Sequence, residues 1–171
     1  MATNLEFIKS ASTTSASTLS VTDCFSANYD LYEIEVTKSD VTATNYVKLR
    51  LIDSGGNVIS DSEYDVAVHE LKDYAGFGEL KYTGQTSFPY MWYSTNAKAD
   101  QTNFKATILN PYSATYTFIN TQVGSNRIST HGSMALKGIG VHKVAEQITG
   151  FQFLTTSGDF DNLKVNVYGV K

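Results

Sequence analysis

The sequence predicts an all-β protein, an antiparallel β-sandwich of jelly-roll type with about eight to ten strands. Three observations carry this expectation. Apolar residues recur at every second position: Tyr32, Ile34 and Val36 alternate with Glu33, Glu35 and Thr37, and Val47, Leu49 and Leu51 alternate with Lys48, Arg50 and Ile52. That is the period of a strand with one face buried. Turn-forming clusters interrupt the pattern, at Asp53-Ser54-Gly55-Gly56-Asn57, Asn110-Pro111-Tyr112-Ser113, Gly124-Ser125-Asn126 and Ser157-Gly158-Asp159. The chain has only 2 prolines and no long run of Ala, Leu, Glu and Lys, which argues against a helical bundle.

Taken in order, the chain divides at residue 18. Residues 1–18 read as a flexible N-terminal arm. Its tip holds Leu5, Phe7 and Ile8, and a Ser/Thr-rich linker over 10–18 follows. The linker has too little apolar surface to order itself. The tip can add as a strand to a neighbouring protein, or it can form a terminal strand of the domain's own sheet; both readings stay open. Residues 19–171 read as the sandwich. After the strands at 32–36 and 47–52, Val58-Ile59 starts a returning strand. Further strands are expected around 65–71, 87–93, 103–109, 115–121, 127–131, 136–143, 147–155 and 163–170. Tyr64 to Asp73 fits two patterns: Ala67, Val68 and Leu71 at helical spacing, Val66 and Val68 at strand spacing. In the last strand Val165, Val167 and Gly169 alternate with Asn166, Tyr168 and Val170. A strand this apolar needs neighbours on both sides, and Gly169 permits a close approach.

Composition narrows the function. Hydrophobic residues make up 42% of the 171, enough for a packed core and too many for a disordered chain. The net charge is −4 with no cluster of Lys and Arg, so nucleic-acid binding is not expected. The single cysteine, Cys24, lies among apolar residues and reads as a small core side chain. No internal disulfide is possible, as suits synthesis in a reducing cytoplasm. Met1 to Ser10 lacks the basic start and apolar run of a signal peptide, and no stretch is long enough to cross a bilayer.

The candidate chemistry is sparse. Asp61, Glu63 and Asp65 would share one side of a strand and could hold a hard cation or supply a carboxylate pair. A charged, solvated strand edge explains them more simply. Asp159 and Asp161 flank Phe160 beside Gly158 with the spacing that opens a calcium loop, but the remaining ligands are missing and a self-capping turn is the simpler reading. His69, His131 and His142 are far apart, and no local pairing supports a zinc site. His131-Gly132-Ser133 has the residue types of nucleophilic catalysis without its spacing, and neither Gly-x-Ser-x-Gly nor a phosphate-cradling loop occurs. No catalysis, bound metal or cofactor is therefore expected. Phe88-Pro89-Tyr90-Met91-Trp92-Tyr93 is the densest aromatic stretch. If extended, it puts Phe88, Tyr90 and Trp92 on one face and Met91 and Tyr93 on the other. Exposed, the first face would make a hot spot for a protein partner or a stacking platform for a sugar. The favoured reading makes one face core and leaves Met91 and Tyr93 able to reach a neighbour, with Tyr90, Trp92 and Tyr93 the candidate partner contacts.

The C-terminal third reads Lys137-Gly138-Ile139-Gly140-Val141-His142-Lys143, then Glu146-Gln147-Ile148-Thr149-Gly150-Phe151-Gln152-Phe153, and closes on Val165-Asn166-Val167-Tyr168-Gly169-Val170-Lys171. This resembles the ending of small β-rich virion proteins of tailed bacteriophages, especially those of marine bacteria. The opening from Met1 to Lys9 and the Asp53-Ser54-Gly55-Gly56 turn are similar too. The resemblance implies a jelly-roll structural module of the virion, non-enzymatic and assembled in the host cytoplasm. It would bind other virion proteins and further copies of itself, as in a trimer. It implies decoration or cement on the head first, and second a tail or fibre module that touches a host glycan or receptor. Leu5, Phe7 and Ile8 are the contacts expected to reach the scaffold.

Overall fold

Two antiparallel sheets pack face to face. The structure is a computed structural model, described over residues 4–94, 102–128 and 132–171. Its strands are β1 (Leu5–Thr13), β2 (Thr18–Val21), β3 (Leu31–Val41), β4 (Asn45–Asp53), β5 (Tyr64–Lys72), β6 (Gly78–Gln85), β7 (Phe88–Ser94), β8 (Asn103–Leu109), β9 (Thr115–Ile128), β10 (Gly132–Glu146), β11 (Ile148–Thr155) and β12 (Phe160–Val170). The larger sheet has the order β1-β12-β3-β8-β9-β10-β5-β6 and the smaller β2-β11-β4-β7. β3 and β12 are neighbours in the large sheet, while β4 and β11, next to them in the chain, are neighbours in the small one. This arrangement is compatible with a jelly roll.

The alternating residues build the core. Tyr32, Ile34 and Val36 on β3, Val47, Leu49 and Leu51 on β4, and Val165 and Val167 on β12 are all buried. Aromatic rings tie the sheets together. Trp92 of β7 lies 4.9 Å from Phe104 of β8 and 4.8 Å from Phe153 of β11, centroid to centroid, and Phe104 and Phe153 are 5.7 Å apart. Such contacts contribute about 0.5–1.5 kcal/mol each beyond the area they bury.

Several expectations change. The described residues hold more strands than expected. The added ones are largely exposed edges, where apolar alternation is weakest: β6, with no buried residue, and the short β2. Residues 64–72 are strand β5, laddered to both β10 and β6. Gly124, Ser125 and Asn126 do not turn; they continue β9 opposite Ser133 to Ala135 of β10. The expected 127–131 strand is the end of β9 as far as Ile128, and its remainder lies outside the described residues. Val58 makes only an isolated bridge to Ile52.

The flexible arm is the main correction. Leu5–Thr13 is an edge strand paired with β12 from Leu5↔Val170 to Thr13↔Leu163, and Ala16 bridges Phe160. An edge strand does not need a large apolar face of its own, because the neighbour's main chain supplies its ladder. Thr also suits extended backbone. Ile8 and Ala11 pack against the core, and Ser10 Oγ donates to Val165 O at 3.1 Å.

Candidate functional site

The outer face of the large sheet carries a row of apolar side chains that crosses six strands. Leu5 pairs Val170, Val170 pairs Leu31, Leu31 pairs Leu109, Leu109 pairs Phe118, and Phe118 pairs Val141. Directly paired residues point to the same side of a sheet, so the row is continuous from β1 to β10. At about 4.8 Å per strand it runs for roughly 24 Å. Phe118 is 49% exposed and Leu5 39%, and the four between or beyond them are half-buried. Phe7 (58%) and Ile139 (63%) extend the apolar surface toward the next row. A groove of about 500 Å³ beside Phe118, Ile139 and Val141 continues it over Ala67 and Lys81. Leu5 and Phe7, singled out in the sequence, thus belong to this face, while Ile8 is half-buried against the core. The row could not be read from the sequence, since its members become neighbours only through strand order and register.

The aromatic segment divides differently from the expectation. Phe88 pairs Leu49 and Trp92 pairs Val47, so β7 has two more residues than β4 between these points. Tyr90 takes φ +58° inside this bulge. Phe88, Met91 and Trp92 are therefore all fully buried, whereas Tyr90 and Tyr93 are thrown outward. Trp92 is core and offers no surface to a partner. Tyr46 lies 4.2 Å from Tyr90 and 4.9 Å from Tyr93, and Tyr82 stacks on Tyr90 at 5.3 Å. The Tyr82 hydroxyl donates to Tyr90, which pushes its pKa up to about 12. These half-buried rings are engaged mainly with one another.

The three alternating carboxylates go to three environments. Asp61 is exposed. Asp65 accepts from Lys143 Nζ at 2.9 Å and Gly84 N at 2.7 Å, and the Lys143 bond holds its pKa below the ordinary range. Glu63 instead meets His142, with Oε2 3.1 Å from Nε2. Glu146 Oε1 approaches the same nitrogen to 3.6 Å. Two features of the chain bring these groups together. Lys143 N donates to Glu63 O at 2.9 Å, which fixes the approach to β5 against β10. A register shift between His142 and Glu146 then interrupts the end of β10. In an unbroken strand residues four apart are about 13 Å apart, so the irregularity is what lets Glu146 reach His142.

His142 is fully buried, with the Tyr64 ring 5.1 Å away. Its Nδ1 and the Oγ1 of Thr117, the residue directly opposite on β9, are both buried without a hydrogen-bond partner. Burial, together with the negative Glu63, Asp53 and Asp61, raises the Glu146 pKa against the opposing pull of His142. Among the described residues this is the one group of histidine, cysteine and carboxylate side chains whose ligand atoms all fall within 4.8 Å of one another. The sequence carries one local signal for this group, the His142–Glu146 spacing. Glu63, 79 residues from His142, could not be joined to it without the fold.

Asp159 and Asp161 flank the buried Phe160 and do not join this group. Asp159 belongs to a main-chain exchange with the β3–β4 turn: its N–H donates to Thr42 Oγ1, and its carbonyl accepts from Thr42 N, both at 2.9 Å. His131 lies outside the described residues, and Ser133 is on β10 with its N–H donated to Asp73 Oδ1 at 2.9 Å. No helix of the described residues is long and apolar enough to cross a membrane. Comparison with protein-family models finds no match, and comparison with curated proteins finds none either.

Proposed function

We propose that this chain is a non-catalytic structural component of a bacteriophage particle, a head-decoration or cement module of jelly-roll type. It docks on other virion proteins, and on copies of itself, through the outer face of its large sheet. The observation that carries the reading is the apolar row Leu5–Val170–Leu31–Leu109–Phe118–Val141. The face of an antiparallel sheet that is open to water is normally polar. A contiguous apolar stretch across six strands is the kind of surface that marks a protein interface. The resemblance of the C-terminal strands to small virion proteins supports the setting. Val170 and Leu5 lie in the two end segments that carry that resemblance.

The test is to purify the phage particles that encode the chain and label them with an antibody to it. Label spread over heads supports the reading. Label confined to tails moves the chain to the tail, as a module contacting the host surface. Particles without the chain overturn the proposal. Phe118→Glu, at a half-exposed position, should leave the fold intact and abolish incorporation.

A further inference from the structure

We propose that Glu63, His142 and Glu146 form a binding site for a single divalent transition cation of the zinc or manganese type, which clamps the approach to β5 onto the end of β10. The geometry is the first argument. A cation bound at about 2.1 Å by nitrogen and oxygen holds its ligand atoms roughly 3.0–3.4 Å apart. His142 Nε2 already stands 3.1 Å from Glu63 Oε2 and 3.6 Å from Glu146 Oε1, and no ligand pair exceeds 4.8 Å. The Glu63 edge already fits, and Glu146 has to move closer to the other two ligand atoms.

Charge is the second argument. Two carboxylates converge on one ring nitrogen, with Asp53 and Asp61 adding negative potential. Without a cation, a single Nε2–H serves Glu63, and Glu146 is left beyond ordinary hydrogen-bond length. A divalent ion bound to a neutral imidazole balances both carboxylates together. Ligand type selects the ion. Calcium and magnesium take oxygen ligands, whereas an imidazole among carboxylates suits zinc or manganese.

Three further features fit. The β10 irregularity that assembles the site is a device that re-aims side chains near functional sites. Coordination through Nε2 puts the ring proton on Nδ1, and Thr117, paired with His142, has a buried hydroxyl that also lacks a partner. An outer-shell bond between such groups would orient the ring. The carboxylate side chains are 30% and 33% exposed, so an ion can enter from solvent and retain a position for water or a partner's ligand.

The test is calorimetric titration of the chelator-treated full chain with zinc and, separately, manganese chloride. One ion per chain is expected. Glu63→Gln and Glu146→Gln keep the side-chain shape and should each weaken binding by at least about tenfold. A second measurement needs no variant: manganese should broaden the His142 ring resonances in NMR spectra before those of His69. No binding up to millimolar metal overturns the proposal, as does unchanged affinity in both Gln variants. Broadening that begins at His69 also overturns it.

Discussion

The indole N–H of Trp92 donates to Ser39 Oγ at 3.0 Å, and both residues are completely buried. This bond joins β7 of the small sheet to β3 of the large one, and it lets the only tryptophan sit in the core. Ser39→Ala leaves the donor buried and unpaired, which costs about 1–3 kcal/mol. A lower urea midpoint, followed through the emission of this lone tryptophan, is the expected result. An unchanged midpoint would mean that water reaches the indole.

Gly150 is the position on β11 least able to accept a side chain. A Cβ there would lie 2.3 Å from Val21 O and 3.0 Å from Thr22 Cα, both main-chain atoms. Neither can turn aside as a side chain would. Gly150→Ala must push β2 from β11, where Cys24 N and Phe25 N donate to Thr149 O. The variant should lose stability by about 1–3 kcal/mol. Gly124, with nothing within 4 Å of its Cβ position, is the control: Gly124→Ala should unfold no earlier than wild type.

The parts of this molecule legible in its sequence are those where a two-residue alternation is enough. Strands β3, β4 and β12 follow from their own residues, because each buries one face whatever its neighbour. β1 was readable only as one of two alternatives. Its Ser/Thr run looks like linker until β12 supplies the ladder. The aromatic segment illustrates another limit: strict alternation groups Tyr90 with Phe88 and Trp92, but the bulge at Tyr90 turns that ring outward and buries Met91 beside them. The Glu63–His142–Glu146 group depends on a second irregularity, in β10. Bulges and strand order are properties of paired strands, and no single segment specifies them.

Cys24 should be chemically silent in the native protein. Burial pushes its pKa up to about 12, and its Sγ lies 3.5 Å from Val21 O. A thiol must ionise to react, so a disulfide reagent at mildly alkaline pH should label Cys24 only as fast as the chain unfolds. The raised native value also implies that alkali favours the unfolded chain. Stability from this group is complete below the unfolded thiol's pKa, about 8.5, and declines as pH rises toward the native value. Rapid labelling without denaturant would contradict the burial of Cys24.

The Asp53 carboxylate organises the β4 turn. Oδ1 accepts Asn57 N at 2.8 Å and Oδ2 accepts Asn57 Nδ2 at 3.1 Å, and the first of these bonds holds its pKa below the ordinary range. A depressed native pKa stabilises the fold above the unfolded value and loses that effect as pH falls through the native one. Asp53→Asn should therefore be less stable than wild type at neutral pH, and the gap should close below about pH 4. Urea midpoints of both proteins across that range measure it. A gap independent of pH would show that the turn needs the side chain's shape and not its charge.

Removing residues 1–13 decides whether the N-terminal segment is an appendage or part of the sheet. An appendage could be cut away with no change in the unfolding midpoint. β1 instead covers one edge of β12 along its length, and the packed Ile8 and Ala11 would leave with it. The truncation should lower the stability by an amount of order 3 kcal/mol, from lost ladder bonds and apolar burial. It would also uncover the β12 edge, whose Val165 and Val167 alternate with Asn166 and Tyr168, and an uncovered edge invites pairing with another chain. The truncated protein should thus sediment as a larger species while the full chain, at the same concentration, does not gain that species. Unchanged stability and unchanged sedimentation together would return residues 5–13 to the role of a free arm.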